Sequence, residues 1–231
     1  MTSRVTVALE GEDLMSVLGH ELRSPLTAIR GAATLLLQAH QELTPEKVVE
    51  LLAVIDSAAA RMADRIEDVL VAGRLDGDRQ PVLIEDLDVS EVVADVLEAA
   101  RARNPGRRLR APGIVEGINV RADRQRVSQV LRVLVDNALR FSPPGSQVEV
   151  RVEGSARMAR IVVRDRGQGI VASDRQRIFG RGVKVDPSGP GAGLGLYVVA
   201  GLLKAMKGEA GFEPRAGGGS TFWFTLPAPA K

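Results

Sequence analysis

Two consecutive heptad stripes constrain this chain more than any other feature. Met15, Leu18, Leu22, Pro25, Ile29, Ala32 and Leu36 fall at alternating steps of three and four, the spacing of one apolar seam on a helix. After Gln41-Glu42-Leu43, the residues Val48, Leu52, Ile55, Ala59, Met62, Ile66 and Val69 repeat the pattern. The spacing predicts a helix from about residue 12 to 40. A second helix is restarted by Thr44 as N-cap, with Pro45 at its first position. A hairpin of two such helices leaves apolar surface bare. Pairing with a second hairpin in a four-helix bundle covers it, so a homodimer is expected.

With Met15 at heptad position a, His20 falls at f, furthest from the seam. One of only two histidines is therefore expected in water beside Glu21, not against a core. Pro25 lacks an N–H and its ring crowds the carbonyl of Glu21, so a bend is expected one turn later. Position alone leaves His20 more often a solvated surface residue than a nucleophile.

Apolar residues make up 45% of the 231-residue chain, enough for a real core, and aromatics only 3%, so packing is mostly aliphatic. The net charge of +2, with both signs interspersed, argues for neither nucleic acid nor a membrane surface as partner. Arg107-Arg108-Leu109-Arg110 is the one dense basic cluster and reads as a solvated strand edge or loop. The absence of cysteine excludes disulfides and thiolate metal sites and fits a reducing compartment. No apolar run approaches the roughly 18 residues of a membrane span, and Glu10, Glu12 and Asp13 stand where a signal peptide places its apolar core. A cytoplasmic, soluble chain is expected. Any sensor or membrane region of a longer protein would lie upstream.

Residues 1–10 read as a linker. The polar break Gly73–Gln80 sets the expected boundary between a helical domain, 1–78, and a second domain, 79–231. In the latter, Pro81–Ile84 reads as a short strand, and Asp88-Val89-Ser90-Glu91 as a capping box opening a helix to about Arg103. Short strands follow near Arg108–Ala111 and Gly117–Val120. Asp123 caps a helix to Phe141. Alternating runs at Val148–Val152 and Arg160–Arg164 pair as strands. After a glycine-rich stretch from Gly167 to Gly195, a helix spans Leu194–Met206, and Gly211–Pro214 pairs with Thr221–Leu226. The last five residues are expected to be disordered. Strands and helices without strict βαβ alternation indicate an α+β sandwich, helices on one face of a sheet.

Three constellations in the second domain carry chemistry. Asp136-Asn137-Ala138-Leu139-Arg140-Phe141 ends the long helix, where the asparagine could be a ligand or simply cap a turn. Asp165-Arg166-Gly167-Gln168-Gly169-Ile170 follows a strand; its carboxylate could accept from a base amine, or the glycines could only make a turn. Gly189-Pro190-Gly191-Ala192-Gly193-Leu194-Gly195-Leu196 opens a helix, and such glycines free backbone N–H groups for phosphate. A single glycine loop is weak evidence in a chain holding 24 glycines.

Order and placement together are far more specific. His20-Glu21-Leu22-Arg23-Ser24-Pro25-Leu26 resembles the phosphoacceptor box of HisKA-type sensor histidine kinases. The three later strings resemble the N, G1 and G2 boxes of the GHKL nucleotide-binding fold, and Arg177-Ile178-Phe179 resembles its F box. The resemblance spans Met15 to Leu226. It implies a dimeric phosphotransfer hairpin followed by a GHKL-type ATP-binding sandwich, with ATP and Mg²⁺ as cofactors and a response-regulator receiver domain as partner. By the resemblance His20 is the phosphoacceptor, Glu21 its general base, and Ser24 acts in dephosphorylating the regulator. Asn137 ligates Mg²⁺, Arg140 steadies phosphate, and Asp165 receives the adenine amino group. Gly167 and Gly169 shape the base pocket, beside Phe141 and Ile170. Gly191, Gly193, Leu194 and Gly195 form the lid over the phosphates, with Phe179 packing against it.

Three positions depart from the pattern. Val133 stands where many members have a first asparagine, Gly182 replaces a second aromatic of the F box, and Ser24 stands where threonine or asparagine is usual. The departures at Val133 and Gly182 keep a second expectation open, a dimeric docking platform for a regulator without kinase activity. A third, a GHKL ATPase or protein-serine kinase that merely carries a hairpin, is opposed by the box at His20.

Overall fold

The structure, a computed structural model, describes residues 11–39, 42–75, 80–112, 117–155, 157–185 and 192–229, the side chains of residues 11–18, 20 and 21 excepted. It divides into two compact units, Met1–Gly73 with Arg181–Leu194, and Arg74–Gly180 with Gly195–Lys231.

The hairpin is built from α1 (Gly11–Ala39) and α2 (Pro45–Leu75). The amides of Glu42 and Leu43 both donate to Ala39 O, at 2.9 and 3.1 Å, closing α1. Thr44 Oγ1 accepts from Lys47 N at 3.3 Å, so Thr44 caps α2 and Pro45 occupies its first position as predicted. Helix α1 runs through Pro25 as one element. The apolar surface of α2 is wider than the predicted stripe. Its buried apolar residues are Leu51, Ala58, Val71 and Ala72, one step round from Leu52, Ala59 and Ile66, which stay exposed.

The second unit opens with β1 (Glu85–Asp88) and α3 (Val89–Arg103), followed by β2 (Arg108–Arg110) and β3 (Asn119–Ala122). Then come α4 (Arg124–Phe141), β4 (Gln147–Gly154), β5 (Met158–Arg164), α5 (Gly195–Ala205), β6 (Ala210–Pro214) and β7 (Ser220–Pro227). Five strands form one sheet in the order β2-β4-β5-β7-β6, and β1 pairs with β3 in a second, two-stranded sheet. Only β2 and β4 run parallel; the other pairs are antiparallel. The register aligns Val150, Val163, Phe222 and Phe212 in one row, and Val152, Ile161, Phe224 and Ala210 in the next. Val150, Val152, Ile161, Val163, Phe222 and Phe224 of these rows are buried, and α4 and α5 pack on the sheet. The opposite face carries Arg151, Arg160, Arg164, Glu213 and Trp223, with Arg160 stacked 4.6 Å from the Trp223 ring centroid and paired to Glu213 at 2.7 Å. One buried and one polar face is the expected state of an antiparallel sheet with helices on one side.

Three local expectations are corrected. The first strand lies at Glu85–Asp88, not Pro81–Ile84. Ladder pairing with β3 decides its place, while Leu83 N donates instead to Asp123 Oδ2 at 2.8 Å. The capping box is only half made: Asp88 Oδ1 accepts from Ser90 N, but Glu91 pairs with Arg124 at 3.2 Å. The chain end is tied down further than expected, since Pro227 completes β7 and Ala228 N donates to Arg157 O at 2.8 Å. The cap at Asp123 is as predicted, with Oδ1 accepting from Arg126 N at 3.1 Å.

Candidate functional site

The second unit brings Asp165, Gly167, Gly169 and Phe141 together. Strand β5 ends at Arg164, and the next residue, Asp165, continues the pairing through its amide to Ser220 O at 2.9 Å. That places its carboxylate at the sheet end, where it is only 3% exposed. Oδ1 accepts from Gly167 N at 2.7 Å and from Ser220 N at 3.1 Å. The Ser220 side chain also hydrogen-bonds the carboxylate. An ionised carboxylate offers about four acceptor positions on its two oxygens, so these internal donors leave room for an outside N–H. Burial pushes the Asp165 carboxyl above its ordinary range, while the two amides, the Ser220 side chain and the nearby Arg215 guanidinium pull it back in part. Arg215 also donates to the Asp165 backbone carbonyl at 3.0 Å.

Gly167 is needed at its position for space. A Cβ there would stand 2.6 Å from the carbonyl oxygen of Phe141, so any side chain would force the end of α4 away from the loop. Gly169 takes φ +73°. Ile170 is half-buried, and its carbonyl accepts from Arg175 Nε at 3.2 Å. At the end of α4, Asn137 is half-buried and Arg140 exposed, the Arg140 guanidinium carbon 5.0 Å from the Phe141 ring centroid. In the F-box turn Asp174 O accepts from the amides of both Arg177 and Ile178, burying Ile178 and leaving Phe179 half-buried.

Gly193 and Leu194 belong to the first unit. Gly193 has φ +67°, and a Cβ there would lie 2.7 Å from the Gly182 carbonyl carbon. The glycine that replaces an F-box aromatic is thus the floor on which Gly193 rests. Gly195 opens α5 with Val133 packed against it. Gly191 lies outside the described residues, as do the side chains of His20 and Glu21, whose backbone is part of α1. Ser24 is exposed on that helix.

Ser220, Gly219 and Arg215 support Asp165 without having been singled out from the sequence. A Cβ on Gly219 would stand 2.3 Å from Asp165 O. The signal available was the run Gly217-Gly218-Gly219 just before the closing strand.

These donors fit a nucleotide. Asp165 offers an acceptor at the sheet end, beside a loop whose backbone comes close. Among the described residues no group of three His, Cys, Asp or Glu side chains could hold a metal ion. Mg²⁺ ordinarily takes few protein ligands and several phosphate or water oxygens, so an amide oxygen such as that of Asn137 suits an ion arriving with a nucleotide.

Residues 12–78 match the His Kinase A (phospho-acceptor) domain. Residues 122–230 match the histidine kinase-, DNA gyrase B-, and HSP90-like ATPase domain. The chain is 34% identical to sensor protein DivL of Caulobacter vibrioides, over 93% of this chain and 28% of that protein. It is also 34% identical to sensor protein IrlS of Burkholderia pseudomallei, over 93% of this chain and 47% of that one. It therefore spans less than half the length of these curated relatives. Full-length ShkA, crystallised with AMPPNP, superposes with a TM-score of 0.63 at 29% identity, over 96% of this chain and 47% of that one. No helix among the described residues is long and apolar enough to cross a membrane. With a phospho-acceptor domain ahead of an ATP-binding domain, and relatives of one kind along nearly its whole length, this chain belongs to the sensor histidine kinases.

Proposed function

We propose that this chain is the catalytic core of a two-component kinase, which phosphorylates its own His20 from ATP and passes the phosphoryl group to an aspartate of a response-regulator receiver domain. The observation that carries the reading is Asp165, a carboxylate buried at the sheet end and held in place by Gly167 and Ser220. Its remaining acceptor capacity suits the exocyclic amine of adenine, and the AMPPNP in the ShkA structure is a nucleotide of that kind.

In this reading residues 1–78 form the dimerisation and phosphotransfer domain and 79–231 the ATP-binding domain, with Gly73 as one hinge between them. Neutral imidazole is the nucleophile, and the imidazole side chain is the one whose unperturbed pKa, about 6.5, lies just below neutrality. A bond forms from the imidazole nitrogen to the γ-phosphorus, the bond to the ADP oxygen breaks, and Glu21 takes the proton. Mg²⁺ supplies charge neutralisation at the phosphates when bound, with Asn137 as its protein ligand. Arg140 adds positive charge to that end of the site. Gly191, Gly193, Leu194 and Gly195 close over the phosphates, while Phe141, Gly167, Gly169, Ile170 and Phe179 shape the pocket. In this reading the work is done in the cytoplasm, where ATP is supplied, by a homodimer.

The test uses ATP labelled on the γ-phosphate. The wild-type chain is expected to acquire label that is labile in acid and stable in alkali, and His20→Gln none. Stable label on His20→Gln overturns the assignment.

A further inference from the structure

One arginine of the basic cluster behaves unlike its neighbours. Arg108 and Arg110 are exposed on the edge strand β2, as the charge run suggests. Arg107 is half-buried, and its guanidinium reaches away from the strand. Nη2 donates to Leu139 O at 2.6 Å and to Ser142 O at 3.1 Å. The last carbonyls of a helix have no partner within it, so this one side chain closes the C-terminal turn of α4 and the residue that caps it.

The backbone ahead of Arg107 aims it there. Asn104-Pro105-Gly106-Arg107 is a tight turn in which Arg107 N donates to Asn104 O at 3.1 Å and Gly106 takes φ +82°. Proline second and a left-handed glycine third are what a type II turn requires. The turn is anchored in its own right, since Asn104 Nδ2 donates to Ala100 O at 2.9 Å. Arg107 thus leaves a fixed base.

Its far end meets the nucleotide pocket. Ser142 gives its carbonyl to Arg107 and its hydroxyl oxygen to the amide of Arg166, at 3.3 Å. Arg166 is the link between Asp165 and Gly167. Phe141, between the two carbonyls that Arg107 holds, presses its own carbonyl on Gly167. The end of α4 and the Asp165 loop are therefore locked to each other at Phe141 and Ser142, and Arg107 holds that lock from outside the pocket.

We propose that Arg107 is a positioning residue for nucleotide binding, which sets the end of α4, and through Ser142 the Asp165 loop, without touching the ligand. The inference rests on the ATP reading given above. A purely structural arginine would cost stability alone; a positioning one costs affinity beyond its cost in stability. Arg101 is the matched control. It too reaches across to a backbone carbonyl, Leu109 O at 3.3 Å, but it leads nowhere near Asp165 through the contacts described.

The experiment titrates the full chain with Mg²⁺ and ATP by calorimetry and records thermal melting for each protein. Arg107→Met is expected to weaken ATP binding about tenfold, the worth of one lost charged hydrogen bond. Arg107→Lys, a point charge without the planar fork, should fall between it and wild type. Arg101→Met loses one longer bond from an exposed side chain, so it should melt no earlier than Arg107→Met and bind ATP within about twofold of wild type. The phosphorylation rate at saturating ATP should be unchanged in all three, placing the effect in binding. If Arg107→Met does not fold, the loss in Arg107→Lys against Arg101→Lys decides in its place. Equal affinity in the Arg107 and Arg101 variants overturns the role of Arg107. A wild-type chain that binds no ATP overturns the nucleotide reading and this inference with it.

Discussion

The Cγ1 of Val133 stands 3.0 Å from the place a Cβ on Gly195 would occupy. Val133 is only 5% exposed on α4, and Gly195 is the first residue of α5. The position at which the family often carries an asparagine is here an apolar contact between two helices. The departure is therefore matched by its surroundings.

Gly195→Ala should cost about 1–3 kcal/mol of stability by overpacking. Val133→Ala opens the space, so the double variant should lose less than the sum of the two, with a coupling of roughly 0.5–3 kcal/mol. Val133→Asn should cost about 1–3 kcal/mol, because its amide would be buried without a partner. Urea denaturation of the four proteins measures all of this, and strict additivity would refute the contact.

Asp165→Asn should separate fold from ligand. Asparagine keeps an oxygen for the amides of Gly167 and Ser220, so the fold survives. Its NH₂ replaces one acceptor oxygen with a donor, and ATP affinity should fall at least about tenfold. The pH dependence has a definite sign. Burial raises the folded-state carboxyl above its unfolded value, so the native state holds the proton more tightly. Stability from this group is present at acid pH and lost as pH climbs from the ordinary carboxylate value through the raised one. Wild type should therefore gain stability relative to Asp165→Asn as pH falls through that window. A pH-independent difference between the two melting profiles contradicts this.

Dimerisation has a direct measure. Leu37 is 78%, Val49 66% and Leu52 52% exposed in the single chain, apolar side chains that pairing with a second copy would cover. The full chain should sediment as a dimer at micromolar concentration. Leu52→Glu should shift it to monomer, leaving ATP binding intact. A wild-type monomer would remove the four-helix bundle.

Ser24, one turn beyond His20 and exposed, is predicted to support loss of phosphate from the partner regulator. Serine keeps the hydroxyl without the methyl that stiffens threonine at χ1. Ser24→Ala should remove this activity, Ser24→Thr should raise it, and neither should much change phosphorylation of His20. Release of phosphate from a phosphorylated receiver with ADP present is the assay, and a Ser24→Ala protein equal to wild type denies the hydroxyl any such role.

What the sequence determined by itself was local or periodic. Thr44 and Asp123 are caps because a short side-chain oxygen meets the free amides just ahead of it. The rows through Val150, Ile161 and Phe224 follow from alternation at period two. Asp165, Gly167 and Gly193 stood out because a lone carboxylate and glycines follow strands or precede a helix in a fixed order. Tertiary structure decided everything that depends on which neighbour arrives. The first strand moved to Glu85–Asp88 because β3 pairs there. Glu91 left its capping box for Arg124, which lies 33 residues away in the chain. Ser220 and Arg215 became supports of Asp165 only because β7 lies beside β5. Arg107 read as one of three surface arginines, since nothing in its own stretch announces that carbonyls 32 and 35 residues onward will stand within reach. Caps and periodicities are settled within a turn or two of chain. A long side chain finds its partner only once the core has brought distant backbone to it.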